Sequence, residues 1–141
     1  MTQEQKDLLL KDLCARLPYG VKVESVFINP DTKKHKSCGI EVFDATSILM
    51  IRDGLGEFKP YLFPLSSMTD ELWDKEFMGC CITEFTRDSF KYGCETLEFS
   101  NSNPNLSSIV RFTNQLIKNH FDIYGLIPMG LAIDATGLNV Y

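Results

Sequence analysis

Long apolar runs and basic charge are both scarce in this chain of 141 residues. Its longest apolar stretches, such as residues 47–51 and 124–133, fall far short of the roughly 20 residues that a membrane-spanning helix needs. The N-terminus lacks the basic start and uninterrupted apolar stretch of a signal peptide. The formal net charge is -5, whereas nucleic-acid binding depends mainly on lysine and arginine. These absences predict a cytoplasmic protein without membrane or nucleic-acid partners.

Signatures of common enzyme classes are missing as well. The chain has only two histidines, His35 and His120, so a histidine-based metal centre is not expected. No serine lies in a G-x-S-x-G elbow, and Gly54-Leu55-Gly56 lacks the third glycine of a dinucleotide-binding loop. Five irregularly spaced cysteines do not indicate a closed disulfide framework. We therefore expect no metal and no cofactor, and we favour a protein that is not an enzyme.

The composition is that of an ordinary globular protein. Apolar residues make up 44% and charged residues 23% of the chain, which is close to the average for folded domains. A chain of this length can build one core but not two. No repeat or low-complexity segment marks a boundary, so residues 1–141 are predicted to form a single domain.

Three helices are predicted from their start signals. Thr2 and Gln5 match a capping box, and leucines at three- and four-residue spacing follow, which predicts a helix over residues 3–16 with Asp12 on its solvent side. Ser67 or Thr69 can cap a second helix that runs toward residue 79. A third helix is predicted to open at residue 107 or 108 and to end near His120.

The predicted strands form a meander. Residues 21–28 and 37–43 have the composition of strands and flank a polar turn, so they predict a hairpin. Residues 47–52 end at a turn dipeptide and predict a third strand, and residues 96–99 have strand character. Residues 59–64 contain two prolines and predict an extended linker rather than a central strand. The expected fold is α+β, an antiparallel meander of three to five strands with the N- and C-terminal helices on one face.

Three segments carry a family resemblance. Residues 59–69 (KPYLFPLSSMT), residues 119–127 (NHFDIYGLI) and residues 8–21 (LLLKDLCARLPYGV) resemble a family of short, uncharacterised proteins encoded by gut anaerobic bacteria and by their phages and prophages. Phe63 stands where the family has a basic residue, and residues 137–141 depart from the family's ending. The resemblance implies a small cytosolic protein of a phage or mobile element, and the family has no established activity to carry over.

Two clusters could carry chemistry. Adjacent Cys80 and Cys81 could bind a soft metal or act as a redox switch, although cysteine is more often an apolar core residue. His120, Asp122 and Tyr124 could converge as acid and base groups. The alternative is structural, since a histidine in the last turn of a helix interacts favourably with the negative helix end, and an aspartate can form hydrogen bonds within the turn.

Two further features suggest a binding surface. Lys33, Lys34 and Lys36 form the one basic cluster, which could engage an acidic partner or nucleic acid, although a solvated hairpin tip is the commoner explanation. Among the aromatic residues near the prolines, Phe58 and Phe63 are predicted to be exposed.

The sequence therefore supports two hypotheses. The first is a non-catalytic protein-binding or regulatory module with an unidentified protein partner, for which homo-oligomerisation stays open. The alternative is a small enzyme or ligand-binding protein with a site formed by the two adjacent cysteines, His120, Asp122 and Tyr124.

Overall fold

The computed structural model of the chain describes residues 1–77 and 106–141. In these residues the protein is α+β, with four α-helices and one four-stranded sheet. The helices are α1 (Gln3–Arg16), α2 (Ala45–Arg52), α3 (Asp70–Glu76) and α4 (Leu106–Lys118). The strands are β1 (Lys22–Ile28), β2 (His35–Val42), β3 (Gly56–Leu62) and β4 (Ile133–Asp134). None of the helices in these two stretches is long and apolar enough to cross a membrane.

The sheet is mixed, with strand order β2-β1-β3-β4. β1 pairs antiparallel with both β2 and β3, whereas β4 runs parallel to β3. The predicted hairpin of β1 and β2 is confirmed, but the prediction of an antiparallel meander in sequence order is wrong. The chain leaves β2 through a helix and returns on the far side of β1, so that β1 lies inside the sheet.

That crossing helix, α2, occupies the segment that was predicted as the third strand. Asp44 caps it, because its carboxylate accepts a hydrogen bond from the Ser47 backbone N–H at 2.8 Å. The Ser47 hydroxyl in turn accepts one from the Asp44 backbone N–H at 3.4 Å. Ile48 and Ile51 pack against the core from one side of the helix. This apolar segment therefore forms a short amphipathic helix, and the capping box of Asp44 and Ser47 was not predicted.

Pro60 lies inside β3, which corrects the prediction that residues 59–64 form a linker outside the sheet. It pairs with Val23 of β1. Ile28 donates its backbone N–H to Leu55 at 2.8 Å, and hydrogen-bonded pairs alternate along an antiparallel ladder. Pro60 therefore falls at a non-hydrogen-bonded position. The pairing with β4 begins one residue later, at Tyr61, so the proline's missing donor costs the sheet no bond.

Helix α1 has the predicted bounds and the predicted capping box. The Thr2 hydroxyl accepts from the Gln5 N–H at 3.2 Å, and the Gln5 side chain accepts from the Thr2 N–H at 2.9 Å. Leu9 and Leu13 are buried against the sheet and the C-terminal chain. Asp12, which was predicted to face solvent, is fully buried, because it shares the packed side of the helix with Leu9, Leu13 and Arg16.

Two apolar clusters position the candidate site. The larger one joins α1, the inner face of the sheet and the chain after α4, and its buried members include Leu13, Val23, Phe43, Phe58, Leu62 and Leu126. The smaller one joins α3 and the end of α4 through Met68, Phe77, Leu116 and Phe121. The last turn of α4 therefore lies between the two clusters.

The second predicted helix is α3, and its cap is Thr69, whose hydroxyl accepts from the Leu72 N–H at 3.2 Å. The helix ends at Glu76, before the predicted residue 79. The strand predicted over residues 96–99 and the Cys80–Cys81 pair lie outside the described residues.

Candidate functional site

The three groups proposed as an acid and base cluster follow the C-terminus of α4. The His120 N–H donates to the Ile117 carbonyl at 3.0 Å, and the Phe121 N–H donates to the Leu116 carbonyl at 2.9 Å. These two bonds define a Schellman motif. His120 occupies the left-handed position of that motif, with φ of 60°. Glycine is the usual residue there because a side chain is strained in this region.

Arg16 reaches this helix end from α1. Its side chain is fully buried and forms a bidentate ion pair with Asp12, in which both N–O distances are 2.7 Å. The same guanidinium donates to the Ile117 carbonyl at 3.2 Å and to the Phe121 carbonyl at 2.7 Å. A cation near carbonyls at a helix C-terminus is favourable. Arg16 thus fixes the last turn of α4 and the residues that follow it against α1.

His120 is held in a neutral environment. Its ring is 8% exposed and stacks on Tyr141, with 4.1 Å between ring centroids. Burial, together with the positive charge of Arg16, lowers the pKa of His120 to about 4. The Nδ1 atom is buried, and no group in the described part of the chain forms a hydrogen bond to it. A neutral imidazole of this kind is a poor proton donor near pH 7.

The pKa of His120 gives a pH dependence of stability that can be measured. The unfolded chain takes up a proton at this residue below about pH 6.5, whereas the folded chain takes it up only near pH 4. The free energy of unfolding should therefore fall by about 3 kcal/mol as the pH falls from 7 to 4. Urea denaturation of the wild type and of His120→Asn between pH 4 and pH 7.5 measures this difference, since asparagine tolerates a positive φ.

The control for this titration is His35→Asn, because His35 is exposed on the hairpin. The His35 variant should keep the pH dependence of the wild type, and the His120 variant should lose part of it. Identical pH profiles for the wild type and the His120 variant would contradict the assignment of a buried, neutral His120.

Asp122 is occupied by the turn that it begins. Its Oδ1 accepts from the Leu126 N–H at 2.8 Å, and its Oδ2 accepts from the Ile127 N–H at 2.8 Å. The side chain is 7% exposed. Both carboxylate oxygens thus organise the backbone that places Leu126 in the core, which is the structural alternative given above for this residue.

Tyr124 lies in a different environment from His120. Its ring packs against the larger apolar cluster, and the Lys11 ammonium lies 5.2 Å from the ring centroid. His120 instead stacks on Tyr141, and Asp122 binds backbone N–H groups. The three predicted groups therefore do not converge on one point, and Cys80 and Cys81 lie outside the described residues.

Tyr141 is a site residue that the sequence did not reveal. Its hydroxyl donates to the Tyr61 carbonyl at 2.7 Å and accepts from the Lys22 backbone N–H at 3.2 Å. Burial raises the pKa of Tyr141 to about 12. Its partners on β1 and β3 are distant in sequence, so no local pattern pointed to it. For the Asp12–Arg16 pair, by contrast, the i, i+4 spacing was a signal that could have been used.

A groove of about 300 Å³ opens beside the His120 and Tyr141 rings. Phe63 and Leu72 form apolar parts of its wall, and Lys118 contributes the charge at its rim. Phe63 is half-buried and packs on Phe121 and Tyr141. The prediction that Phe63 is exposed is therefore only partly right.

Phe58 is not a surface residue, which corrects the prediction of exposure. It is 3% exposed and meets Phe43 edge-on, with 5.8 Å between ring centroids. It pairs with Ser25 of β1, which is also buried, so it lies on the core side of the sheet. Phe58 therefore belongs to the core rather than to a binding surface.

The lysines predicted as a binding patch are exposed at the tip of the β1–β2 hairpin. Lys33, Lys34 and Lys36 are all exposed, and Lys33 has a positive φ of 55° in the tight turn. The adjoining strand β2 is exposed along almost its whole length. In the part of the chain that the structure describes, β2 ends the sheet on one side, and it carries Ile40 and Val42 with 55% and 53% of their surface accessible.

Neither a metal site nor a family assignment comes from these observations. Within residues 1–77 and 106–141, no group of three or more histidine, cysteine, aspartate or glutamate side chains is placed to hold a metal ion. Comparison with protein-family models, with curated proteins and with solved structures gives no significant match for this chain. The resemblance to the phage-encoded family stays a prediction.

Proposed function

We propose that this protein is a non-catalytic protein-binding or regulatory module that binds through its β1–β2 hairpin. The observation that supports this most directly is strand β2, which forms an open edge of the sheet among residues 1–77 and 106–141. It exposes Ile40 and Val42 and continues into the lysines of the hairpin tip. Exposed sheet edges recognise proteins by adding a strand, in which backbone hydrogen bonds give affinity and side chains give specificity.

The charge of the hairpin favours an acidic region of the partner. Lys33, Lys34 and Lys36 are clustered on a chain with a net charge of -5. A local basic patch on an acidic protein attracts acidic surfaces, and its effect is greatest on the association rate. Phe63 is not part of this surface. β3 begins at Gly56, beside the hairpin tip, and Phe63 follows the other end of this strand, away from the tip.

An enzyme or small-ligand site has less support. Asp122 is bound to two backbone N–H groups, and Tyr124 lies under Lys11. His120 borders the groove beside Tyr141, but the Nδ1 atom of its side chain is buried. The family resemblance implies a phage or mobile element as the setting. Exposed thiols at Cys14 and Cys38 fit the reducing cytoplasm of a host cell.

The proposal is tested by affinity purification of the tagged protein from its native host. We expect the wild type to retain a protein in stoichiometric amount. A variant with Lys33, Lys34 and Lys36 replaced by serine should retain at least about fivefold less of it at physiological salt, because three favourable charges are removed. The measurement is quantitative mass spectrometry of the eluates.

The control is Lys6→Ser combined with Lys59→Ser, two exposed lysines that are not part of the hairpin strands or their connecting turn. The control should retain as much of the partner as the wild type does. Recovery of no stoichiometric protein, or equal recovery with the hairpin variant and the wild type, would remove the proposal.

A further inference from the structure

We propose that two copies of this chain associate through β2, in an antiparallel pairing that joins their sheets around a two-fold axis. This inference deepens the proposed function, on which it rests, because it names the protein that occupies the open edge. The occupant is a second copy because the backbone donors, the side-chain faces and the charges of β2 all match their own reversed order.

The backbone groups that face the open edge can be assigned from the bonds to β1. The Phe43 N–H donates to the Val21 carbonyl at 2.9 Å, and the Asn29 N–H donates to the Lys34 carbonyl at 3.0 Å. Phe43 and Lys34 are therefore bonded to the residues that flank β1. Because hydrogen-bonded pairs alternate along an antiparallel ladder, the backbone groups of their neighbours, and of every second residue from there toward Cys38, are directed away from β1. The residues with edge-facing N–H and C=O groups are His35, Ser37, Ile40 and Val42.

These residues pair with one another when β2 of one copy lies antiparallel beside β2 of a second copy, so that the start of each strand opposes the end of the other. In that register His35 opposes Val42 of the second copy, and Ser37 opposes Ile40. Each of these is a pair of edge-facing residues, so both exchange backbone hydrogen bonds. The register therefore uses the edge-facing donors and acceptors of these four residues.

The bulge in β2 makes the side-chain faces agree as well. Ser25 pairs with Gly39 and Val26 pairs with Ser37, which leaves Cys38 as an extra residue. Gly39, next to this irregularity, has a positive φ of 86°. An uninterrupted strand paired with itself in this register would oppose inward with outward residues, since successive side chains alternate. The extra residue shifts the alternation by one.

The agreement can be followed through the partners on β1. Lys36 opposes Phe27 and Glu41 opposes Val23, so both point to the core side of the sheet. Ser37 and Ile40 point to the other side, where Ile40 opposes Glu24. In the proposed register core-side residues therefore meet core-side residues on both sides of the bulge. A bulge usually protects an edge from pairing, but here the two bulges meet at the two-fold axis.

Charge and apolar surface are complementary in the same register. Lys36 of each copy opposes Glu41 of the other, which gives two symmetric ion pairs, and opposite charges directly across a strand pair are stabilising. On the outer face, the shift at the bulge makes the two Ile40 side chains diagonal neighbours. Each Ile40 is 55% exposed in the single chain, and the pairing would cover part of this surface.

The direct test is sedimentation equilibrium of the full chain over a range of concentrations, with amide hydrogen exchange measured by NMR at the same concentrations. We expect a reversible dimer. The amides of His35, Ser37, Ile40 and Val42 should exchange at least tenfold more slowly at the dimeric end of the range than at the monomeric end. The amides that bond to β1 should change little.

Charge exchange tests the register. Lys36→Glu and Glu41→Lys each place like charges opposite one another twice per dimer, so each should raise the dissociation constant by about tenfold. The double variant Lys36→Glu/Glu41→Lys restores opposite charges and should return the constant to near the wild-type value. Lys59→Glu and Glu57→Lys, on exposed positions of β3, change the net charge equally and should leave the constant unchanged.

A variant of the backbone provides an independent check. Val42→Pro removes an N–H that faces the open edge, so the monomer loses no bond and should keep its far-ultraviolet circular dichroism. The dimer should be lost at concentrations where the wild type is dimeric.

A wild type that is monomeric up to several hundred micromolar overturns the inference. A dimer whose dissociation constant is unchanged by the charge exchange and by Val42→Pro overturns it equally. If the chain is monomeric but retains a different protein through its hairpin, the inference fails and the proposed function stands. If the dimer forms as described and no other protein is retained, the second copy is the protein that the open edge binds, and a separate acidic partner of the hairpin lysines is excluded.

Discussion

Replacing Arg16 by methionine is expected to lower the free energy of unfolding by about 4 kcal/mol. The substitution leaves the Asp12 carboxylate fully buried without its partner. It also removes the donors that satisfy the Ile117 and Phe121 carbonyls at the end of α4. Urea denaturation followed by circular dichroism measures the loss as a shift of the midpoint. Since small domains are stable by only about 5–15 kcal/mol, a substantial unfolded population at 37 °C is also expected.

The control for this prediction is Arg52→Met. Arg52 and Asp53 lie 2.7 Å apart, the same separation as in the buried pair, but 67% and 45% of their side chains are exposed. Exposed pairs contribute little to stability, so the midpoint should not move measurably. Equal effects of the two substitutions would show that Arg16 is not the link between α1 and α4 that its contacts describe.

A double variant separates the ion pair from the bonds to the helix end. Asp12→Leu combined with Arg16→Met removes both buried charges, and such replacements are often close to neutral. Here the two carbonyls would still lack their donors. We therefore expect the double variant to recover part, but not all, of the stability lost in Arg16→Met.

Local signals explain what could be predicted from the sequence. The bounds of α1 follow from Thr2 and Gln5, and the start of α3 follows from Thr69, because each cap satisfies a backbone group only three residues away. The β1–β2 hairpin was predicted for the same reason, since its two strands flank one polar turn. The exposed lysines at its tip were placed correctly by the same pattern.

The failures share a dependence on distant contacts. Pro60 is tolerated in β3 only because β1 and β4 leave its nitrogen position without a required bond. Asp12 is buried because Arg16 joins it to the Phe121 carbonyl, which lies 105 residues beyond Arg16 in the chain. Phe58 lies in the core because its strand pairs with β1 in a register that turns it inward. None of these partners is visible in a window of neighbouring residues.

The candidate site shows the same division between local roles, which could be predicted, and distant contacts, which could not. The sequence correctly placed His120 at a helix end and Asp122 in a turn, and the role of Asp122 is local. The predicted favourable interaction of His120 with the negative helix end was wrong, because the imidazole is neutral. The stacking of His120 on Tyr141 could not be predicted, because it depends on how the C-terminal chain packs across the sheet. That contact buries the imidazole, and burial is the main reason why its pKa falls.

Replacing Asp122 by asparagine is expected to lower the free energy of unfolding by about 3 kcal/mol, the second largest effect. Both carboxylate oxygens accept backbone N–H groups, from Leu126 and Ile127, and the side chain is buried. Asparagine offers only one oxygen, so its NH₂ group would face a backbone N–H that then lacks an acceptor. Hydrogen bonds to charged groups contribute about 1.5–3 kcal/mol each, and an orphaned buried donor costs a similar amount.

Asp134→Asn is the matched control for this substitution. Asp134 is exposed, and only its Oδ1 accepts a bond, from the Thr136 N–H at 2.8 Å. Asparagine can keep that single bond, so the urea midpoint should stay close to that of the wild type. If Asp122→Asn were equally harmless, the carboxylate would be free of the turn and available for chemistry. A large loss of stability instead identifies Asp122 as the anchor of the turn that carries Leu126 into the core.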